Sequence, residues 1–244
     1  MATAAPVEGA FNFRDLGGLR AGPDRVLRPG VLFRSDTLQA LSARDVTYLV
    51  DEVGLELVVD LRVGPEAVEQ GRGLMAGTRV CYLNAPLHEA PVSDLPAHAQ
   101  TLALYREHAG SPQSKVGTVV RVVCAVAGRP VLVHCAMGKD RTGLVIALLL
   151  RLLGVDDGEI VADYLRTAPA VPKIIERFRS WPRYAEHMAS VPPEVYAIEE
   201  RTITGFLGWL DSAFGDIVGW AHARGIADAD IARLRAEMLV PSVA

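Results

Sequence analysis

The sequence predicts an α/β protein with a mostly parallel central sheet flanked by helices and a helical C-terminal elaboration. Three observations carry this reading. Residues 55–61 and 130–135 are short, β-branched apolar runs of the kind that strands buried on both faces require. Segments of helical period stand between and after those runs, and alternating helices and strands imply a sheet covered on both sides. Beyond residue 155 no strand pattern recurs, and the chain reads as successive helices broken by prolines at 169, 172, 182, 192 and 193.

Taken in order, Ser42 with Asp45 three residues on forms a capping box. It opens a helix whose apolar positions are Val46, Leu49, Val50 and Val53, and Gly54 closes it. The strand at 55–61 leads into Asp60 and Arg62, which share one side of the sheet at period two. Residues 78–83 read as another strand, and 84–98 as a long, proline-rich surface loop. The helix over 115–127 carries Cys124 on its apolar stripe, and the strand at 130–135 ends on Cys135. The next helix is apolar nearly all round and stops at Gly154, so it must be buried on most sides. Phe206, Leu210, Phe214, Ile217 and Trp220 recur near helical spacing, which fits core packing of a helical subdomain; a lid or a membrane-surface face is the alternative. The whole chain, 1–244, is expected to be one domain, with a catalytic core over about 10–165 and the helical part over about 166–244.

Composition narrows the function classes. Half of the residues are hydrophobic and 22% are charged, as in an ordinary folded protein. A formal net charge of −4 argues against nucleic acid as a partner, since that role needs a basic field. The first ten residues lack the basic start and apolar core of a secretory signal, and the longest apolar run, 143–150, is too short to insert stably in a membrane. Cys81, Cys124 and Cys135 have neither zinc-ligand spacing nor an even count, so no metal, no cofactor and a reducing cytoplasm are expected, with unconventional export left open. Cys81 and Cys124 lie in apolar segments and read as core; either is also a conceivable disulfide partner for Cys135. The oligomeric state does not follow from the sequence.

The chemistry concentrates in His134-Cys135-Ala136-Met137-Gly138-Lys139-Asp140-Arg141-Thr142-Gly143, which joins a strand to a helix. A phosphate dianion needs many donors within a short loop. The amides of Ala136, Met137, Gly138, Lys139, Asp140 and Arg141, curling over a helix N-terminus, supply them. Gly138 permits the backbone angles of such a nest, and Arg141 adds a planar, permanently charged fork. The same field favours a thiolate on Cys135, which makes it the candidate nucleophile. Thr142 is expected to donate a hydrogen bond to that sulfur and to help the phosphocysteine leave. Ligands of such sheets bind outside the strands' carboxyl ends, where both Asp60 and Cys135 fall.

This loop resembles the signature of the cysteine-based protein tyrosine phosphatase superfamily. Together with NFRDLGG (12–18), LFRSD (32–36) and VVDLR (58–62) it is similar to a bacterial tyrosine/serine phosphatase family. The four motifs span 12–143, and the helical remainder fits that family only loosely. The resemblance implies a tyrosine-phosphatase-like fold and hydrolysis of phosphomonoesters. Substrates would be phosphotyrosine, also phosphoserine or phosphothreonine, and phosphoinositides, so the expected partner is a phosphorylated protein or a phosphoinositide. Lys139 is what the resemblance links to polyanionic headgroups. A rhodanese-like sulfurtransferase and a catalytically inactive phosphate-binding module are the competing classes.

The proton donor for the leaving oxygen is the least determined element. No Trp-Pro-Asp loop is present, and Trp181-Pro182 reads as a helix break. Asp60 matches the family's candidate acid and ranks first, Asp140 inside the loop second, and Asp94 and Glu89 third with a solvated-loop reading preferred. Arg14, Asp15, Arg34 and Ser35 match the upstream motifs; a salt bridge from Arg14 or Arg34 would brace the loop from behind. His134 is expected to hold loop geometry rather than to transfer protons.

Overall fold

The computed structural model describes residues 7–89 and 94–242. Seven strands form two sheets: β1 (Arg14–Asp15), β2 (Arg25–Leu27), β3 (Leu32–Ser35), β4 (Leu57–Asp60), β5 (Cys81–Asn84), β6 (Val131–His134) and β7 (Leu239–Pro241). The main sheet has the order β1-β3-β6-β4-β5, parallel throughout except for the antiparallel edge pair β1–β3. A small antiparallel pair, β2–β7, ties the C-terminal end back to the first residues. Arg14 and Arg34 stand opposite one another across the edge pair, so both upstream motifs enter the fold as neighbouring strands.

The helices are α1 (Ala43–Thr47), α2 (Gly64–Gln70), α3 (Ala97–Gly110), α4 (Lys115–Ala125), α5 (Asp140–Leu153), α6 (Asp157–Leu165), α7 (Val171–Arg179), α8 (Pro182–Ser190), α9 (Glu200–Phe214), α10 (Ile217–Ala223) and α11 (Asp228–Met238). The expected capping box on Ser42 is present, but α1 gives way at Tyr48 to a π-helical turn closed by a bond from the Val53 amide to the Tyr48 carbonyl. Of the loop expected over 84–98, residues 90–93 lie outside the described residues, and α3 already begins at Ala97. The apolar period of 203–221 is split into α9 and α10, with Asp216 capping the second.

One face of the sheet packs against α3, α4, α5 and α9–α11 in a single large core that includes Val133, Leu148, Phe206, Leu210 and Trp220. The other face is closed by residues 7–13, α1 and its π turn, through Phe13, Phe33, Leu49, Val58 and Leu132. Phe206, Leu210, Ile217 and Trp220 are therefore core, as their spacing predicts, with Phe214 packed against it. What stands over the sheet's carboxyl edge is instead a cap formed by α7, α8 and the 3-10 turn Pro193–Tyr196. Phe178, Trp181 and Tyr184 stack in this cap, with Phe178 and Tyr184 centroids 4.1 Å apart, and the cluster rests on Ala136 and Met137 of the loop. Cys81 lies exposed on the edge strand β5, correcting its expected core position. Cys124 is buried in α4, and all three cysteines are free.

Candidate active site

Strand order places three chain ends side by side at the carboxyl edge of the sheet. His134 at the end of β6 is in register with Ser35 of β3 on one side and Asp60 of β4 on the other. The chain then turns through 135–139 into α5. The carbonyl oxygens of residues 135–138 are each engaged by the surrounding protein. Cys135 O meets His134 Nδ1 at 3.1 Å and Ala136 O accepts from the Thr37 amide at 2.9 Å. Met137 O and Gly138 O accept from Asn12 Nδ2 at 3.0 and 3.1 Å. Gly138 O also accepts from Arg34 Nη2 at 2.6 Å. A trans peptide directs its N–H opposite to its C=O, so holding four carbonyls from behind turns the following amides, those of Ala136 to Lys139, toward the cavity. Gly138 has φ +66°, and a Cβ there would collide with the Ser35 carbonyl, so no other residue fits.

The scaffold behind the turn is itself buried and paired. Asp163 of α6 takes Arg14 Nε at 2.7 Å on one oxygen and Arg34 Nη1 at 2.5 Å on the other. Arg14 Nη1 donates to Asn12 Oδ1 at 2.5 Å, which fixes the amide orientation that Asn12 presents to the loop. Burial would raise the Asp163 carboxyl, but the two guanidinium groups hold it below its ordinary value. The motif-borne arginines thus brace the loop as expected. Asp163 lies beyond the last motif, in a helix where it resembles any surface carboxylate in sequence, so only the fold reveals it.

In front of the turn lies a cleft of about 860 Å³ including its open mouth, lined by Cys135, Ala136, Met137, Asp140, Arg141 and Glu89 together with Phe178, Tyr184, His187 and Tyr196 from the cap. Cys135 and Arg141 share its floor, at 2% and 4% exposure. Arg141 Nη1 donates to Glu66 Oε2 at 2.6 Å, and Nη2 donates to Glu66 Oε1 at 3.3 Å and Glu89 Oε1 at 2.8 Å. Burial opposes the charge on Arg141, but Cys135, Glu89 and Glu66 keep the guanidinium protonated well above its ordinary range. Glu66, at the start of α2, carries no signal in the sequence, because a short GPEAVEQ helix gives little period to read.

Asp60 is placed elsewhere. It is fully buried, with Arg62 Nε at 3.0 and 3.1 Å from its two oxygens, Arg62 Nη2 at 2.7 Å and the Tyr82 hydroxyl donating at 2.8 Å. Burial alone would raise this carboxyl, but nearby His134 and the paired Arg62 pull it down to about 2. It does not line the cleft. A buried carboxylate paired with Arg62 and set outside the cleft differs from the position expected of a general acid, which must reach the leaving oxygen. Asp140 does line the cleft, with Oδ1 3.3 Å from Lys139 Nζ. Lys139 is turned away: its side chain is buried and its ammonium donates to the Val195 carbonyl in the cap at 2.6 Å. The Thr142 hydroxyl is buried without a hydrogen-bond partner among the described residues, so the bond expected to the sulfur is not formed here. Glu89, expected third and as a solvated side chain, reaches Arg141, and among the described residues no other carboxylate of that loop does. Burial keeps His134 below its ordinary value, in line with a holding role.

The model of the Tyrosine phosphatase family matches residues 5–240. The chain belongs to that family. The match takes in the C-terminal helices that the motifs alone seemed to leave outside. The phosphatase is 31% identical over 273 residues to the triple specificity protein phosphatase PtpB of Mycobacterium tuberculosis, covering 95% of this chain and 97% of that protein. It is 32% identical over 172 residues to a putative tyrosine-protein phosphatase of Cupriavidus necator, covering 64% of this chain and 60% of the relative. Among solved structures, the P. aeruginosa protein TpbA overlaps it with a TM-score of 0.39 at 18% identity, over 82% of this chain and 90% of TpbA. The chain is a cysteine-based phosphatase, and neither sulfur transfer nor an inactive reader is favoured by these relatives.

Proposed function

We propose that this phosphatase hydrolyses aryl phosphate monoesters of the phosphotyrosine type, with Cys135 as nucleophile and Arg141 as the clamp on the transferring group. The observation that carries the reading is the turn at 135–141. Its carbonyls are tied back, and its thiol and guanidinium lie together on the floor of one cleft. The thiolate Sγ attacks phosphorus while the bond to the leaving oxygen breaks. Water then breaks the S–P bond and releases phosphate. The amides from Ala136 to Arg141 and the Arg141 fork neutralise the equatorial oxygens in both steps. Thr142, whose buried hydroxyl lacks a partner, would regain about 1–3 kcal/mol by donating to the departing sulfur.

The walls of the cleft bear on the substrate class. Phe178, Tyr184 and Tyr196 offer an aromatic slot, while Lys139, the cation linked to polyanionic headgroups, is engaged with Val195. This supports a phosphorylated protein over a phosphoinositide as the preferred partner. A cytoplasmic location is consistent with free cysteines, and among the described residues no helix is long and apolar enough to cross a membrane. The test compares kcat/KM on phosphotyrosyl peptides with that on short-chain phosphoinositides. Higher values on the peptides are expected. Preference for the lipids would reverse the substrate assignment, and thiosulfate-to-cyanide transfer without phosphatase turnover would defeat the reaction class.

A further inference from the structure

Arg141 has two carboxylate partners of unequal kind. Glu66 is buried at 5% side-chain exposure and is further held by the Val63 amide at 3.1 Å, so it is a fixed part of the floor. Glu89 comes from the segment after β5, is 44% exposed, and makes one bond to Nη2. A phosphate reaching the floor needs that nitrogen, and Glu89 is the partner it can displace. In-line attack from a sulfur on the floor sends the leaving oxygen toward the mouth, and of the two carboxylates that line the cleft Glu89 is the more exposed, at 44% against 30% for Asp140.

Resting on the Cys135 reading above, we infer that Glu89 is the proton donor to the leaving oxygen, released from Arg141 by the phosphate itself. In the resting site its carboxylate stands where the phosphate will bind. The groups facing it are Arg141, Glu66 through the shared guanidinium, His187 of α8 with Nε2 at 3.7 Å, and Tyr196, whose phenol is pushed up to about 12 by burial and by the Glu89 charge. A dianion arriving on Arg141 competes for Glu89's cation and sets a like charge beside it, so the half-exposed side chain is released from Nη2 and freed to reach the leaving oxygen. The proton then passes to the leaving oxygen as the P–O bond breaks. In the second step the resulting carboxylate takes a proton from the water that attacks phosphorus, and the thiolate leaves. Asp140 is the competing donor, but its Oδ1 is buried against Lys139 Nζ, itself bound to the cap.

The test uses the full chain with Glu89→Gln, Glu89→Asp and Asp140→Asn on p-nitrophenyl phosphate and on phenyl phosphate, whose leaving phenolate is more basic. Donation by a positioned acid contributes about 10²–10⁴-fold, so E89Q should lose about that much kcat/KM on phenyl phosphate and far less on p-nitrophenyl phosphate. The basic limb of its pH profile should vanish, and E89D should retain the limb. A loss equal on both esters would overturn the inference, as would tighter phosphate binding with unchanged leaving-group dependence. So would a selective loss on phenyl phosphate in D140N instead of E89Q. If the wild type forms no phosphocysteine, the Cys135 reading itself fails, and that outcome is read without any Glu89 variant.

Discussion

The back and the front of the phosphate loop are built from the same residue types and behave differently. Behind it, Asp163, Arg14, Arg34 and Asn12 are buried and paired in one network that ends on loop carbonyls. In front, Glu89, Asp140 and His187 are partly exposed and make contacts that range from 2.8 to 3.7 Å. A buried ion pair is costly to break because the partner is left charged and dry, so the back is a fixed frame. A half-exposed pair exchanges its partner for water or for an anion with little loss, so the front is where ligands and protons can move. Asp60 and Glu89 make the lesson concrete: the carboxylate from the family-like motif is locked on Arg62, and the inconspicuous one reaches the chemistry.

The sharpest way to break this contrast is Asp163→Ala, which leaves two buried guanidinium groups uncompensated. It should cost about 3–5 kcal/mol, read as a lowered denaturation midpoint. Through the loss of Arg34's hold on Gly138 it should also lower kcat/KM on the order of 10²-fold. A variant of full stability would show that the frame is not a frame.

Asp36 tests the seam between back and front. It is buried beside the loop, bonded to the Asn12 amide at 2.9 Å and 3.5 Å from Arg177 of the cap. Burial pushes its carboxyl up to about 6. An unfolded aspartate titrates near 3.9, so the folded state binds the proton more tightly. Stability from this group is full below about pH 4 and is lost as pH rises through 6. Asp36→Asn should remove that fall, worth on the order of 3 kcal/mol, seen as the difference between wild-type and variant stability at pH 4 and pH 7. A difference independent of pH would contradict it.

Asp60 titrates with the opposite sign. Its folded value near 2 lies below the unfolded one, so its contribution is present above about pH 4 and is lost as pH falls toward 2. Asp60→Asn should cost on the order of 2 kcal/mol at pH 7 and leave the leaving-group dependence of kcat/KM unaltered. Selective loss on basic leaving groups would return Asp60 to the role of acid.

Much of this architecture is legible in the chain because it is written in local patterns. The β-branched runs at 55–61 and 130–135 and the apolar α5 leave few options for the sheet, and Cys135, Gly138 and Arg141 sit within one turn of each other. What escapes is set by distance along the chain. Glu66 and Glu89 meet at Arg141 across 75 and 52 residues, and Asp163 reaches Arg34 across 129. No spacing rule links such positions. Lys139 misleads for a different reason: its place in the loop suggests a ligand contact, but the cap carbonyl that takes its ammonium lies 56 residues away.

The most direct test of the central claim is mass spectrometry of the intact protein, acid-quenched during turnover of p-nitrophenyl phosphate. A single added phosphoryl group, mapped to Cys135 and absent from Cys135→Ser, is the result expected. Turnover with no adduct on Cys135, or undiminished turnover by Cys135→Ser, would contradict it.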